Sequence, residues 1–178
     1  MIGRIRVIPL AAESLGVRSM STYITTPDVK VLIDPGVSLG PRFGLLPYPI
    51  EYRLLKECRK NIACAAAESD IVVINHYHFD HSTPTFTDYV WNFLDMEVAH
   101  QIYGGKIMLA KDFKSNVNAI QRRRGWMLKN AIKDCVKEFI TANNRTFIFG
   151  STLKFFTTCS PWRRGYNPWL VSHTYCGE

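Results

Sequence analysis

The chain has 178 residues, 47% of them hydrophobic and 21% charged, and carries a formal net charge of +7. That length suits one domain with a real core, and the balance is that of a soluble globular protein. No apolar stretch is long enough to cross a bilayer, and the five cysteines form no C-x-x-C pair, which argues against a disulfide framework and a cysteine zinc site.

At the start of the chain, Arg4 and Arg6 alternate with Ile5, Val7 and Ile8. A signal peptide would keep its charges ahead of a continuous apolar core, so this segment predicts a first strand and a cytoplasmic protein. Residues 20–25 and 29–33 read as a hairpin around Pro27-Asp28. Asp34-Pro35-Gly36 sets a turn at the end of its second strand. Residues 36–49 are rich in Gly and Pro and include Arg42-Phe43-Gly44-Leu45-Leu46, which predicts an ordered loop near a site and part of a substrate wall. Residues 51–67 are helical: Leu54, Leu55, Cys58, Ile62, Ala65 and Ala66 share one stripe, with Arg53, Lys56, Arg59 and Lys60 largely off it.

The next strand, Ile71-Val72-Val73-Ile74-Asn75, is a buried apolar run that opens into His76-Tyr77-His78-Phe79-Asp80-His81. Strand alternation turns His76, His78 and Asp80 the same way, and His81 follows at the bend. Imidazole nitrogen and carboxylate oxygen are ligands that zinc, iron or manganese accept, so this hexapeptide predicts a metal site. Scattered core histidines are the bland alternative, and three imidazoles in six residues weigh against it. Further on, residues 87–103 predict one helix or two short ones, with His100 a partly exposed surface histidine. Residues 106–110 predict a strand, 121–140 a helix, and 146–149 with 152–156 a hairpin. Cys58 and Cys135 fall on apolar helix faces. The net charge favours anionic partners in general, although the positive residues are spread out. Arg122, Arg123 and Arg124 form the single basic cluster, a solvated helix start by default and a phosphate or nucleic-acid clamp as the alternative. Strand, helix, strand order favours an α/β fold, a sheet covered by helices.

H-x-H-x-D-H at the mouth of a buried strand resembles the signature of the metallo-β-lactamase superfamily of metal-dependent hydrolases. The surrounding H-Y-H-F-D-H-S-T-P, F-T-D-Y-V-W and Q-R-R-R resemble an uncharacterised, mainly archaeal branch of it, over residues 1–156. The resemblance implies an α/β (α+β) fold, the first αβ half of an αββα sandwich, with a mixed sheet and helices on one face. It implies that His76 and His78 bind a first metal and Asp80 and His81 a second, with Asp80 as proton acceptor, and that Asp34 orders the backbone around the histidines. The cofactor implied is zinc, one or two ions, with iron or manganese as alternatives. The function implied is hydrolysis, in which metal-bound hydroxide attacks an ester, amide or phosphoester.

The family pattern then fails. Its binuclear site needs a third histidine just past the second hairpin, where this chain reads Thr157-Thr158-Cys159-Ser160-Pro161-Trp162-Arg163-Arg164-Gly165. Only His173 follows, in a tail without family context. With freely chosen codons, a one-base shift of the letters for residues 159–165 yields Val-Pro-His-Gly-Glu-Gly. We therefore expect residues 1–156 to be an N-terminal half-domain and 157–178 an aberrant, frameshifted and poorly packed tail, with apolar surface on the open flank through which the chain could associate. With at most two protein ligands per metal, weak metal binding and little turnover are expected. Three readings stand: a metal-dependent hydrolase of a small molecule or phosphoester, a nucleic-acid-processing relative, and a non-catalytic fragment.

Overall fold

The computed structural model describes residues 5–40, 43–142 and 146–150, and the backbone alone of 153–156 and 173–174. The rest of the expected tail, with Cys159 and Cys176, lies outside the described residues.

Six strands form a mixed sheet in sequence order: β1 (Arg6–Ala12), β2 (Met20–Thr25), β3 (Lys30–Ile33), β4 (Ile71–Ile74), β5 (Ile107–Lys111) and β6 (Glu138–Ala142). The first three pair antiparallel, and β3 to β6 run parallel. β1 is an edge strand, which is why it tolerates Pro9, and its register slips between Pro9 and Ala11. The β2–β3 turn closes as expected: Thr26 N–H donates to the Val29 carbonyl at 3.0 Å, and the Thr26 hydroxyl donates to Asp28 at 2.8 Å.

Each parallel crossover carries a helix: α1 (Pro49–Glu68), α2 (Glu97–Tyr103) and α3 (Ala119–Ile132). All three contribute to the core on one face of the sheet, where Leu55, Ile62, Ile102 and Ile132 meet Leu32, Val72, Ile74 and Met108. The opposite face gathers Val31, Ile71, Val73 and Leu109 with Phe147 and Phe149. Strands covered on both sides need apolar residues at every position, and β4 is buried throughout. A second, three-stranded sheet holds β7 (Thr146–Phe149), β8 (Leu153–Phe156) and β9 (His173–Thr174), with His173 opposite Phe156. The fold is thus mixed α/β, a multi-stranded sheet flanked by helices.

Three local expectations need correction. The helix expected over 121–140 ends at Ile132, and 138–142 is strand β6, paired parallel with β5. Val136 and Phe139 continue the helical period, yet Phe139 and Ile140 suit a strand that an open neighbour edge can recruit. Cys135 consequently sits in the turn after α3, half-buried. Of residues 87–103 only the last seven are helical. Asp88 takes the backbone N–H groups of Val90 at 2.8 Å and Trp91 at 3.1 Å on its carboxylate, holding a turn where a helix would need those donors elsewhere. Arg59, expected largely off the apolar stripe of α1, is buried and donates to the carbonyls of Val37 at 2.9 Å and Asn92 at 2.7 Å. Burial pulls its pKa down to about 10, which still leaves it charged at neutral pH.

α3 packs closely against Phe113 and Tyr77, in the segments that follow β5 and β4, because residue 125 is glycine. A Cβ there would lie 2.4 Å from the Phe113 Cβ and 2.9 Å from the Tyr77 ring. Gly125→Ala is therefore expected to destabilise the chain by about 1–3 kcal/mol through overpacking, read as a lower urea midpoint, despite the better helix propensity of alanine.

Candidate metal centre

In a parallel sheet, functional groups gather outside the carboxyl ends of the strands. β3 and β4 are neighbours and both end on the same rim, one in Asp34 and the other in the histidine hexapeptide. The strand stops at Ile74, so the histidines are not arranged by strand alternation as the sequence suggested. A tight turn does it instead: the His78 carbonyl accepts from His81 N–H at 2.9 Å and Ser82 N–H at 2.8 Å, and this brings His81 back towards His76. The His76 ring then meets His78 edge-on at 4.0 Å and His81 at 4.8 Å between centroids.

Asp34 is buried and has a left-handed backbone, φ 47°. Its carboxylate accepts from Asn75 N–H at 2.8 Å and the Asn75 amide at 3.0 Å, and it bonds His81 Nδ1 at 2.9 Å. One carboxylate so joins the ends of two strands to the turn that follows. Gly36 completes the tie. Its N–H donates to the His81 carbonyl at 3.1 Å, and a Cβ there would lie 2.4 Å from the Ser82 nitrogen. The Ser19 hydroxyl holds the Gly36 carbonyl at 2.6 Å, and the Thr83 hydroxyl holds that of Pro35 at 2.7 Å. On the other side, Gln121 at the start of α3 accepts from Tyr77 N–H at 2.7 Å.

The three imidazoles differ electrostatically. Burial, followed by the neighbouring His78 and His81, pushes the pKa of His76 down to about 3, so the ring is neutral at any ordinary pH. Its Nδ1 is buried with no hydrogen-bond partner among the described residues. Burial also lowers His78. For His81 burial pulls downward, but the bond to Asp34 and its charge outweigh it, and the net shift is upward. The bond from Nδ1 to Asp34 fixes how the His81 ring is turned.

His76, His78, Asp80 and His81 line a cleft of about 640 Å³, which Arg18, Ser19 and Met20 help to wall. A second cleft of about 390 Å³ continues past His78 and Asp80 to Leu39, Trp91 and Arg124. Of the basic cluster, only Arg124 reaches the site. Its guanidinium lies 3.9 Å from the centroid of Phe79, while Arg122 and Arg123 are exposed on α3. Of the 36–49 loop, Ser38 and Leu39 line the second cleft, whereas Phe43, Leu45 and Leu46 are exposed. His100 is exposed on α2. Sequence reasoning missed Arg18, whose guanidinium comes within 3.8 Å of Asp80. Nothing local marks it, because a bridge to Ser38 brings it there.

The donor set fits a divalent metal in kind, with neutral imidazoles, one nitrogen without a partner and a carboxylate orienting another ring. It does not fit in number: among the described residues, no three His, Cys, Asp or Glu groups are arranged to hold an ion.

Fold and site define a mixed α/β protein with a histidine-rich loop at the carboxyl end of a central parallel strand. The chain is similar to the UPF0282 proteins of Thermococcus gammatolerans (44% identical over 158 residues, 88% of this chain and 52% of that one) and Methanocaldococcus jannaschii (45% over 152 residues, 84% and 51%). It is also similar to that of Methanopyrus kandleri, 43% identical over 157 residues, 88% of this chain and 53% of the relative. It spans about half the length of these curated relatives. No family model and no solved structure matches it.

Two measurements check this site. In metal-free protein, ring-proton resonances of His76 should not titrate between about pH 4 and 8, while those of His81 titrate above the ordinary histidine value of about 6.5. Asp34→Ala should cost about 3–5 kcal/mol in urea denaturation, since it strands the Asn75 and His81 donors in a buried site.

Proposed function

We propose that this chain carries the first half of the metal site of a hydrolase of the metallo-β-lactamase type, with the remaining ligands in the part of the longer relatives that this chain does not match. The observation that carries the proposal is the buried Nδ1 of His76, without a hydrogen-bond partner among the described residues and in a ring edge-on to His78 and His81. A dry polar nitrogen costs about 1–3 kcal/mol, and a fold that keeps one at a cleft supports a ligand there. His76, His78 and His81 would hold zinc, or iron or manganese, with Asp80 at the rim. A bound divalent metal supplies Lewis acidity and makes water acidic enough to act as a nucleophile at neutral pH.

The chain's own residues set up what surrounds that chemistry. Asp34 holds His81 through Nδ1 and so sets the orientation of a ring that lines the cleft. Asp80 is partly exposed beside the same cleft, where it can take a proton from an attacking water. Leu39 and Trp91 give the substrate an apolar wall. An ester, amide or phosphoester substrate suits this arrangement, and the half-set of ligands supports little turnover by this chain alone.

Equilibrium dialysis against zinc, read by elemental analysis, tests the proposal. Uptake should be weak and reversed by chelator, abolished in His76→Ala and His78→Ala, and unchanged in His100→Ala. Equal uptake by His76→Ala and the unaltered chain would end the metal reading.

A further inference from the structure

Two guanidinium groups from distant parts of the chain face the same cleft beside the histidine turn. Arg18 is fixed at its backbone by two hydrogen bonds to Ser38, at 2.9 and 3.0 Å. Its side chain is 52% exposed, and its guanidinium comes within 3.8 Å of the Asp80 carboxylate. Arg124 arrives from α3 with its guanidinium carbon over the Phe79 ring, 3.9 Å from the centroid. Among the described residues no hydrogen bond or ion pair engages its guanidinium. A cation–π contact of this kind uses no N–H group, so the fork stays open to a ligand.

Each guanidinium offers five donors in a rigid fork. Asp80 lines the same cleft as both, and one carboxylate cannot saturate two forks. It is also the carboxylate that the metal reading assigns to an ion, and once engaged there it leaves two cations facing one cleft. A carboxylate ligand has two oxygens and is satisfied by one fork. A phosphoryl group presents three, arranged tetrahedrally, and accepts forks from two sides. The net charge of +7 agrees with an anionic ligand.

We propose that Arg18 and Arg124 clamp the phosphoryl group of a small phosphoester, with Leu39 and Trp91 packing its organic part. This rests on the hydrolytic reading of the same site and names its substrate class. The clamp determines specificity and is separate from the metal ligands.

The test uses the full chain, phenyl phosphate as probe, benzoate as comparison, and a chelator throughout so that no metal contributes. Binding is followed by calorimetry and by the arginine side-chain N–H resonances. Phenyl phosphate should shift the resonances of Arg18 and Arg124 and leave those of Arg122 and Arg123 in place. Arg18→Gln and Arg124→Gln should each weaken binding about tenfold. Arg124→Lys, which keeps the charge and loses the fork, should weaken it nearly as much. Asp80→Asn should tighten binding by removing the competing carboxylate, and benzoate should bind about tenfold more weakly than phenyl phosphate. Equal binding of benzoate, no shift at Arg18 and Arg124, or an equal loss in Arg122→Gln would overturn the clamp, the last by moving the anion to the outer face of α3 as a nucleic-acid surface would. The resonance shifts need no variant and stand if one fails to fold. A chain that binds phenyl phosphate in chelator but takes up no zinc upholds the clamp and removes the hydrolytic reading, whereas zinc uptake without phenyl phosphate binding overturns the clamp alone.

Discussion

The bond between the Asp34 carboxylate and the segment from Asn75 to His81 is the constraint on which this end of the molecule depends. Parallel pairing of β3 and β4 delivers two chain ends to one rim, where the backbone ladder runs out of partners. The ladder makes one last contact, Asp34 N–H to the Val73 carbonyl at 2.9 Å, before the side chain takes over. A carboxylate has the acceptor capacity to serve a backbone N–H, an amide and an imidazole at once, which a hydroxyl or a carboxamide has not. Its left-handed φ is a modest strain that aspartate tolerates better than most side chains, and the three bonds offset it. Because Asp34 directly follows β3 and is still bonded to β4 through Val73, the ring its carboxylate holds is anchored as well.

Gly36 shows the same constraint from the backbone side. The turn after β3 and the histidine turn approach so closely that a methyl group would collide with the main chain of His81 and Ser82. Asp-Pro-Gly read as sequence is a common turn, and its part in docking a second turn depends on which strand lies beside it. Adjacency of β3 and β4 is a fact of topology, set by a helix of twenty residues between them.

That distinction separates what the sequence made legible from what it hid. The hairpin at Pro27-Asp28, the helix from Pro49, the buried run 71–74 and the strand after Gly105 all rest on short-range periods and breakers, and they stand within a residue or two. The histidines were visible by type, since three imidazoles in six residues need no structure to be noticed. What failed was decided at long range. Strand β6 lies in a segment whose apolar spacing also fits a helix, and only the free edge of β5 settles it. Arg59 carries a charge on a helix that otherwise shows its basic residues to water, and two carbonyls from loops that cover α1 bury it. Arg18 reaches the cleft through a single bridge to Ser38, which no local pattern announces.

Electrostatics at the rim follow from the same packing. His76 and His81 are five residues apart and chemically alike, yet they are pushed in opposite directions. Both are largely dry, and dryness alone drives an imidazole towards neutrality. His81 escapes because a carboxylate lies 2.9 Å from its ring, and His76 does not because its near neighbours are other imidazoles. The outcome is a neutral nitrogen beside an imidazole braced by an anion, with a third ring edge-on to the first. Such an arrangement is poor as a core, since it leaves the His76 Nδ1 without a partner among the described residues where water is scarce. It is well matched to a ligand that replaces water as the partner of nitrogen, and this mismatch between packing and hydrogen bonding is the strongest physical reason to look for chemistry at this rim.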